Sequence, residues 1–354
     1  MYCTAPKIKK GYGMGMDLTK QVSAISLENI AQRAKEMRPF IRHTPVIGLG
    51  TPLIRQALGG GNITLKLELF QHTGTFKARG ALSNARAIPA DRQAAGITAA
   101  SAGNHAIAAA WAARVCDMSA KVVMQDTANP FRIARARDEG AEVILRAPGA
   151  ATFAEAERLS AEEGRTFIHP FEGINTALGT AGVGYEFLND VPDLDAVVIS
   201  VGGGGLISGI AAAVKLINPS CKVYGVEPTG ADSMSRSIAA GEPVTLDKVE
   251  TIADSLAPPM ALPLGHALCA AYVDEMVTVS DDQICAGMVA LQQEAKLAVE
   301  PAAGAVMAGG LGPLRQKLQG KRVGLVICGA NIDAVTYQAQ LARGVQHYAA
   351  LIAS

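Results

Sequence analysis

The sequence predicts an α/β protein of two lobes built on mostly parallel sheets. Three observations carry that expectation. Short apolar runs rich in β-branched residues, such as A-V-V-I-S-V over 196–201, alternate with helical runs along most of the chain. Polar or glycine-rich turns follow several of those runs directly, as Gly202, Gly203, Gly204 and Gly205 do. The 354 residues, 49% of them hydrophobic, suffice for a large core divided in two.

Taken in order, residues 26–41 carry Ile30, Ala34 and Met37 on one helical stripe, which Thr44-Pro45 breaks. Residues 63–70 alternate as a strand, with Lys66 and Glu68 between apolar neighbours. A polar turn then leads to Lys77 and a helix over 78–86. Residues 96–100 run into Ser101-Ala102-Gly103-Asn104-His105, and an alanine-rich helix follows over 106–114. Strands at 121–125 and 142–145 flank a helix over 131–139 closed by Gly140. A helix over 153–163 stops at Gly164, and a strand-like stretch over 166–169 ends at Pro170. The pattern then returns: helix 176–189, strand 196–201, helix 206–217, strand 222–226, long helix 281–298 and a last strand 323–328. There is no internal repeat, low-complexity block or clear linker. The smaller lobe is expected at 99–172, the larger at 1–98 with 173–354.

Lysine plus arginine equals aspartate plus glutamate, 32 each, and aromatics are 5%. That balance leaves no electrostatic footprint for nucleic acid or an anionic membrane. No apolar run approaches the roughly 20 residues that cross a bilayer. Residues 1–16 lack the apolar stretch of a secretory leader and read as a flexible lead-in. Cys3, Cys116, Cys221, Cys269, Cys285 and Cys328 form no C-x-x-C pair and no metal spacing with histidine. Free thiols in a cytoplasmic protein are expected.

Four stretches carry chemistry. Lys77 sits where a strand and turn give way to a helix, within F-Q-H-T-G-T-F-K-A-R-G over 70–80. An amine there can point into a cleft and form an imine with a carbonyl compound; a lone lysine at a helix start is more often an ordinary surface residue. Gly202, Gly203, Gly204 and Gly205 lie between a strand and a helix, where bare N–H groups can hold a phosphate. Neither G-x-G-x-x-G nor a P-loop fits this spacing, which disfavours a nucleotide. Ser101 to His105 form a second turn before a helix, able to hold a carboxylate or merely to cap the helix. Cys328 ends the last strand, where α/β proteins collect ligands; a buried structural thiol is its alternative reading.

Together these stretches resemble the fold-type II pyridoxal-phosphate enzymes of the threonine/serine dehydratase and serine racemase group, a tryptophan synthase beta-like fold. The carriers are T-G-T-F-K-A-R-G-A (73–81), S-A-G-N-H (101–105), V-G-G-G-G-L (201–206), V-E-P-T-G-A-D (226–232), T-I-A-D (251–254), V-E-P-A-A-G-A (299–305) and C-G-A-N-I-D (328–333). The resemblance implies that Lys77 carries the cofactor as an imine and handles the α-proton, with Ser101 as its catalytic companion. It implies that Phe76 packs on the pyridine ring, Asn104 meets the ring hydroxyl, and Cys328 faces the ring nitrogen. Gly202, Gly203, Gly204, Gly205 and the Leu206 N–H take the phosphate. Ser101, Ala102, Gly103, Asn104 and His105 take the substrate carboxylate, and Ser255 comes near the substrate. Glu227, the Ala231 carbonyl and Ser233 match a cation site.

Departures refine the expectation. Ala102 stands where serine racemases carry a proton-shuttling serine, and threonine dehydratases share the alanine. Ser233 replaces the aspartate of divalent-metal members, which favours a monovalent or weakly bound divalent cation. Ser255 replaces a usual glycine. Phe153 falls near an arginine of serine racemases and leaves room for an apolar or aromatic β-substituent. His169-Pro170-Phe171 resembles the group's H-P-F element and reads as structural. The expected activity is loss of water from a β-hydroxy amino acid, giving a 2-oxo acid and ammonia. A neutral thiol at the ring nitrogen suits such an elimination better than a long-lived carbanion. A homodimer without the regulatory domain of biosynthetic threonine dehydratases is expected. Rival readings are an amino-acid racemase, an eliminase of another β-substituted amino acid, and a non-catalytic binding protein.

Overall fold

The structure, a computed structural model, describes residues 16–353. The lead-in read over 1–16 lies outside the described residues apart from Met16, which opens a helix, Met16–Ser23. The described strands are β1 (Val46–Leu49), β2 (Asn62–Lys66), β3 (Ile97–Ser101), β4 (Ala120–Gln125), β5 (Glu142–Arg146), β6 (Thr166–Phe167), β7 (Ala196–Ser200), β8 (Lys222–Pro228), β9 (Glu275–Val279) and β10 (Arg322–Val326). They form a six-stranded sheet, ordered β1-β2-β10-β7-β8-β9, and a four-stranded sheet, ordered β5-β4-β3-β6. Only the β1–β2 pair is antiparallel. The inner strands are buried on both faces, as parallel sheets require: Val197, Val198 and Ile199 have no exposed surface.

Several elements differ from the sequence reading. The strand expected over 63–70 ends at Lys66 and gives way to a 3₁₀ turn, Glu68–Phe70. The reason is electrostatic: Glu68 is fully buried and must turn inward to meet Arg79 and Thr44. The strand-like 166–169 shortens to Thr166–Phe167. Strands β1 and β9 and the helices Pro301–Leu311 and Ala334–Ala353 have no counterpart in the sequence reading. Every residue of Pro301–Leu311 is buried, so it shows no amphipathic stripe to find. Among the described residues, no helix is long and apolar enough to cross a membrane.

The lysine turn is tied to the end of the last strand. Thr75 bridges Gly329, and the Phe76 N–H donates to the Cys328 carbonyl at 3.0 Å. The helix Lys77–Arg86 then lies on Ile174–Asp190 at very close range. A Cβ added at Gly179 would sit 2.6 Å from the Arg79 carbonyl oxygen and 2.8 Å from Ser83 Cβ. Gly179→Ala therefore has to push the two helices apart, at a cost of about 1–3 kcal/mol for overpacking. A urea melt should show a lower midpoint with an unchanged slope; an unchanged midpoint would disprove the close contact.

Candidate active site

Three strand ends converge. β3 finishes at Ser101, β7 runs into Gly202, and β10 runs into Cys328. Phe76, Lys77, Asn104, Gly202, Gly203, Gly204, Gly205, Leu206, Ser255 and Cys328 border one cavity. A second, adjoining cavity of about 540 Å³ shares Lys77, Asn104 and Ser255 and adds Ser101, Ala102, Gly103 and His105. The candidate residues of the cofactor and substrate regions are thus brought together; Glu227, Ala231 and Ser233 border neither cavity.

Lys77 Nζ donates to the Pro170 carbonyl at 2.6 Å and lies 5.2 Å from the Phe76 ring centre. Burial lowers its pKa to about 8, against the opposing pull of Glu300 and Cys328. The four glycines are needed sterically. A Cβ on Gly205 would lie 2.7 Å from Phe171 Cα, and one on Gly203 would enter the Phe171 ring. Gly204 has φ +90°, the left-handed region that favours glycine. This bare loop precedes the helix Ile207–Ile217, so unpaired N–H groups and the helix's positive end face the cavity. The loop fits a phosphate group.

Cys328 is buried, and burial, reinforced by Glu300, pushes its thiol up to about 12. Ser200 Oγ lies 3.6 Å from Cys328 Sγ. The thiol therefore stays neutral. Asn104 Nδ2 donates to both Glu300 oxygens at 2.9 and 3.0 Å, and its Oδ1 accepts from Asn331 at 2.9 Å. Ser255 Oγ donates to Glu300 at 3.2 Å. Ser101 Oγ accepts from the Gly103 N–H at 3.0 Å, ahead of the helix Asn104–Val115. The His105 ring bonds the Ile168 carbonyl at 2.8 Å, and burial holds its pKa down to about 3. The ring is therefore neutral, and its Nε2 is used within the fold.

Glu227 is buried and accepts from the Met234 N–H, the Ser235 N–H and Ser235 Oγ at 2.8, 2.8 and 2.5 Å. Burial raises its pKa to about 7. Ser233 Oγ is buried with no partner, and Ala231 is 1% exposed. No group of three or more His, Cys, Asp or Glu side chains suited to a metal occurs among the described residues.

The sequence reading did not single out Glu300, Arg132 or Asp254 as site residues. Glu300 is buried at the start of the helix Pro301–Leu311 and takes hydrogen bonds from Asn104, Ser255 and the Asn331 N–H. A glutamate before proline inside V-E-P-A-A-G-A, otherwise apolar, was the available signal. Arg132 reaches across to the Asn331 carbonyl at 3.0 Å and pairs with Asp254. Nothing in the pattern of residues 130–138 marks that arginine over its neighbours Arg135 and Arg137.

A half-buried amine of lowered pKa borders the same cavity as a glycine-lined anion cradle, at the carboxyl ends of parallel strands; the arrangement fits an enzyme that uses an aldehyde cofactor with a phosphate arm. The chain belongs to the pyridoxal-phosphate-dependent enzyme family, whose model matches residues 37–329. It is 46% identical over 318 residues to a phenylserine dehydratase of Ralstonia pickettii, covering 90% of this chain and 97% of that one. An L-threonine ammonia-lyase of Thermotoga maritima is 36% identical over 310 residues, covering 87% and 76%. The structure of maize serine racemase superposes with a TM-score of 0.84 at 30% identity, covering 92% and 99%.

An amine attacks an aldehyde only as the free base. Below a pKa of about 8 Lys77 is protonated, so uptake of pyridoxal phosphate by apo-protein should speed up with pH and level off above about 8. An ordinary lysine would keep accelerating to about 10.4. Stopped-flow absorbance across the neutral to alkaline range reads the difference; continued acceleration would rule out the lowered pKa.

Proposed function

We propose that this enzyme dehydrates a β-hydroxy amino acid whose β-carbon bears an aryl group. The reaction is pyridoxal-phosphate-dependent α,β-elimination, giving a 2-oxo acid and ammonia. The observation that carries the aryl reading is the cavity of about 540 Å³ beside Lys77, with Phe153, Phe171, Pro258, Pro259, Met260 and Leu262 in its lining. That lining suits an aromatic ring far better than the methyl of threonine or the hydrogen of serine. The phenylserine dehydratase likeness supports the same substrate class.

The cofactor, when bound, supplies the electron sink that makes the α-hydrogen acidic. Lys77 Nζ carries it and then receives the α-proton; its lowered pKa suits it to act as a base near neutrality. When the cofactor is bound, the glycine loop and the Leu206 N–H would hold its phosphate. Asn104, positioned by Glu300, would meet the ring hydroxyl, and Phe76 would pack on the ring. Cys328 would offer the ring nitrogen a neutral partner, which disfavours charge build-up there. The substrate carboxylate is received by Ser101 and the N–H groups of residues 102–105, with Ser255 nearby. Ala102 cannot carry a proton to the opposite face, so racemisation is not supported.

The lobe over 99–172 closes on the lobe formed by 1–98 and 173–354. Glu227, the Ala231 carbonyl and the orphaned Ser233 hydroxyl hold a monovalent cation, one carboxylate being too few for a hard divalent ion. We read the enzyme as a cytoplasmic homodimer that binds neither nucleic acid nor membrane. The five free cysteines among the described residues suit a reducing compartment.

One assay tests this reading. Ammonia release from L-threo-phenylserine should exceed that from L-threonine and L-serine by about tenfold or more in kcat/KM, as burial of an aryl ring against a methyl implies. Lys77→Ala should abolish it, potassium should raise it relative to tetramethylammonium, and no D-serine should form from L-serine. Equal rates on all three substrates would remove the aryl assignment.

A further inference from the structure

His169 has one ring nitrogen that the fold uses and one that it leaves over. Nδ1 accepts from the Phe171 N–H at 3.3 Å and the Glu172 N–H at 3.0 Å. A nitrogen that accepts cannot carry the proton, so Nε2 carries it in the neutral ring. The ring is neutral at working pH, since burial and then Lys77 hold its pKa down to about 4. It is also immobilised. Phe171 packs against it edge to face at 4.6 Å, Phe167 at 5.9 Å, and Phe153 lies 6.0 Å away. No hydrogen-bond partner takes Nε2–H among the described residues, although the ring lines the same cavity as Lys77 and Ser101.

We propose that His169 Nε2–H is the hydrogen-bond donor that receives the β-oxygen of the substrate and stabilises it as it leaves. The assignment rests on the dehydration reading above. The other polar ends of such a substrate are already met. The carboxylate has the turn at Ser101, and the amino group goes to the cofactor. Besides the cofactor phosphate, when bound, the β-hydroxyl has no donor assigned to it so far, and it is the atom next to the aryl group for which Phe153 and Phe171 line the cavity. In the elimination the Cα–H bond breaks and its proton goes to Lys77. Its electron pair becomes the second bond between Cα and Cβ. The Cβ–O bond breaks with its own electron pair left on the oxygen. Lys77 hands the proton it took from Cα to that oxygen, which departs as water and leaves the amine neutral. A neutral imidazole N–H is too weak an acid to be given up, so His169 lowers the charge on the oxygen without itself titrating.

The test compares two leaving groups in the holoenzyme: the β-hydroxy amino acid, and β-chloroalanine, whose chloride needs little help. His169→Asn keeps an acceptor for the two backbone amides but has no donor at the depth of Nε2. His169→Phe keeps the aromatic packing and also lacks the donor, which covers the case in which the asparagine variant fails to fold. His169→Gln restores an amide donor at that depth. In the first two variants, kcat/KM on the hydroxy substrate should fall about 10- to 100-fold relative to β-chloroalanine. The glutamine variant should recover part of that ratio, and the visible cofactor absorbance should not move. Parallel loss on both substrates, or an unchanged ratio, overturns the proposal while leaving the dehydration reading intact. A wild-type holoenzyme that releases no ammonia from any β-hydroxy amino acid overturns both.

Discussion

The active site depends on Arg79, a guanidinium with no exposed surface held between two carboxylates. Its Nε and Nη2 donate to Glu68 at 2.7 and 2.8 Å, and its Nη1 and Nη2 to Glu186 at 2.7 and 2.8 Å. Glu68 lies on the turn after β2, Glu186 on the helix Ile174–Asp190, and Arg79 two residues beyond Lys77. One side chain therefore fixes the lysine helix against two other elements. Burying charges is expensive, and only such double bidentate geometry offsets the cost. Lys66, also buried, adds a second cation at 3.1 Å from Glu186 and donates to the Thr44 carbonyl at 2.8 Å. The arrangement tolerates little displacement, so the position of Lys77 at the start of its helix is held closely.

Above that charged foundation the site itself is kept largely neutral. Burial holds the Cys328 thiol protonated and leaves the rings of His105 and His169 uncharged, while Glu300 also has its pKa raised by burial. Each uncharged group is oriented by a hydrogen bond: Ser200 to Cys328, His105 to the Ile168 carbonyl, the Phe171 and Glu172 amides to His169. Fixed dipoles in a partly desolvated pocket act more strongly than the same groups in water and need no reorganisation during reaction. Beside these groups Lys77, with its pKa lowered to about 8, changes charge close to neutral pH.

The parts of this design legible in the sequence are those where the chemistry is local. Lys77 at a strand–turn–helix junction and the glycines at 202–205 announce themselves within ten residues, because bare backbone and a helix start are contiguous requirements. The parallel architecture was legible for the same reason, each β-branched run and its following helix being neighbours. Arg79 was not: its partners lie 11 and 107 positions away, and an arginine on a helix reads as solvent-facing until its burial is known. Glu300 was quoted only as part of a resembling stretch, since its 196-residue separation from Asn104 hides the bond between them. His169 read as structural, and the two amides that bond its Nδ1, two and three residues on, could not be told from the sequence to leave its Nε2 without a partner. The helix Pro301–Leu311 escaped because complete burial removes the periodicity by which helices are found.

Those distant partners also explain why Gly103 has to be glycine in a way its backbone does not. Its φ of 176° is extended and open to any residue. The constraint comes from Arg132, whose side chain fills the space a Cβ would take and reaches on to the Asn331 carbonyl and to Asp254. Asn129 makes a parallel reach to Asp333 at 2.6 Å. Both donors follow β4 of the four-stranded sheet, and their acceptors belong to the segments around β10 and the turn at Asp254–Leu256. The turn that opens at Ser101 is therefore packed against the very side chain that spans the cleft. A shift of the four-stranded sheet relative to the six-stranded one has to stretch or break the Arg132 bonds to Asn331 and Asp254, and the side chain that makes them is the one packed on Gly103. The packing of the Gly103 turn and the contacts that join the two sheets thus share one side chain, Arg132.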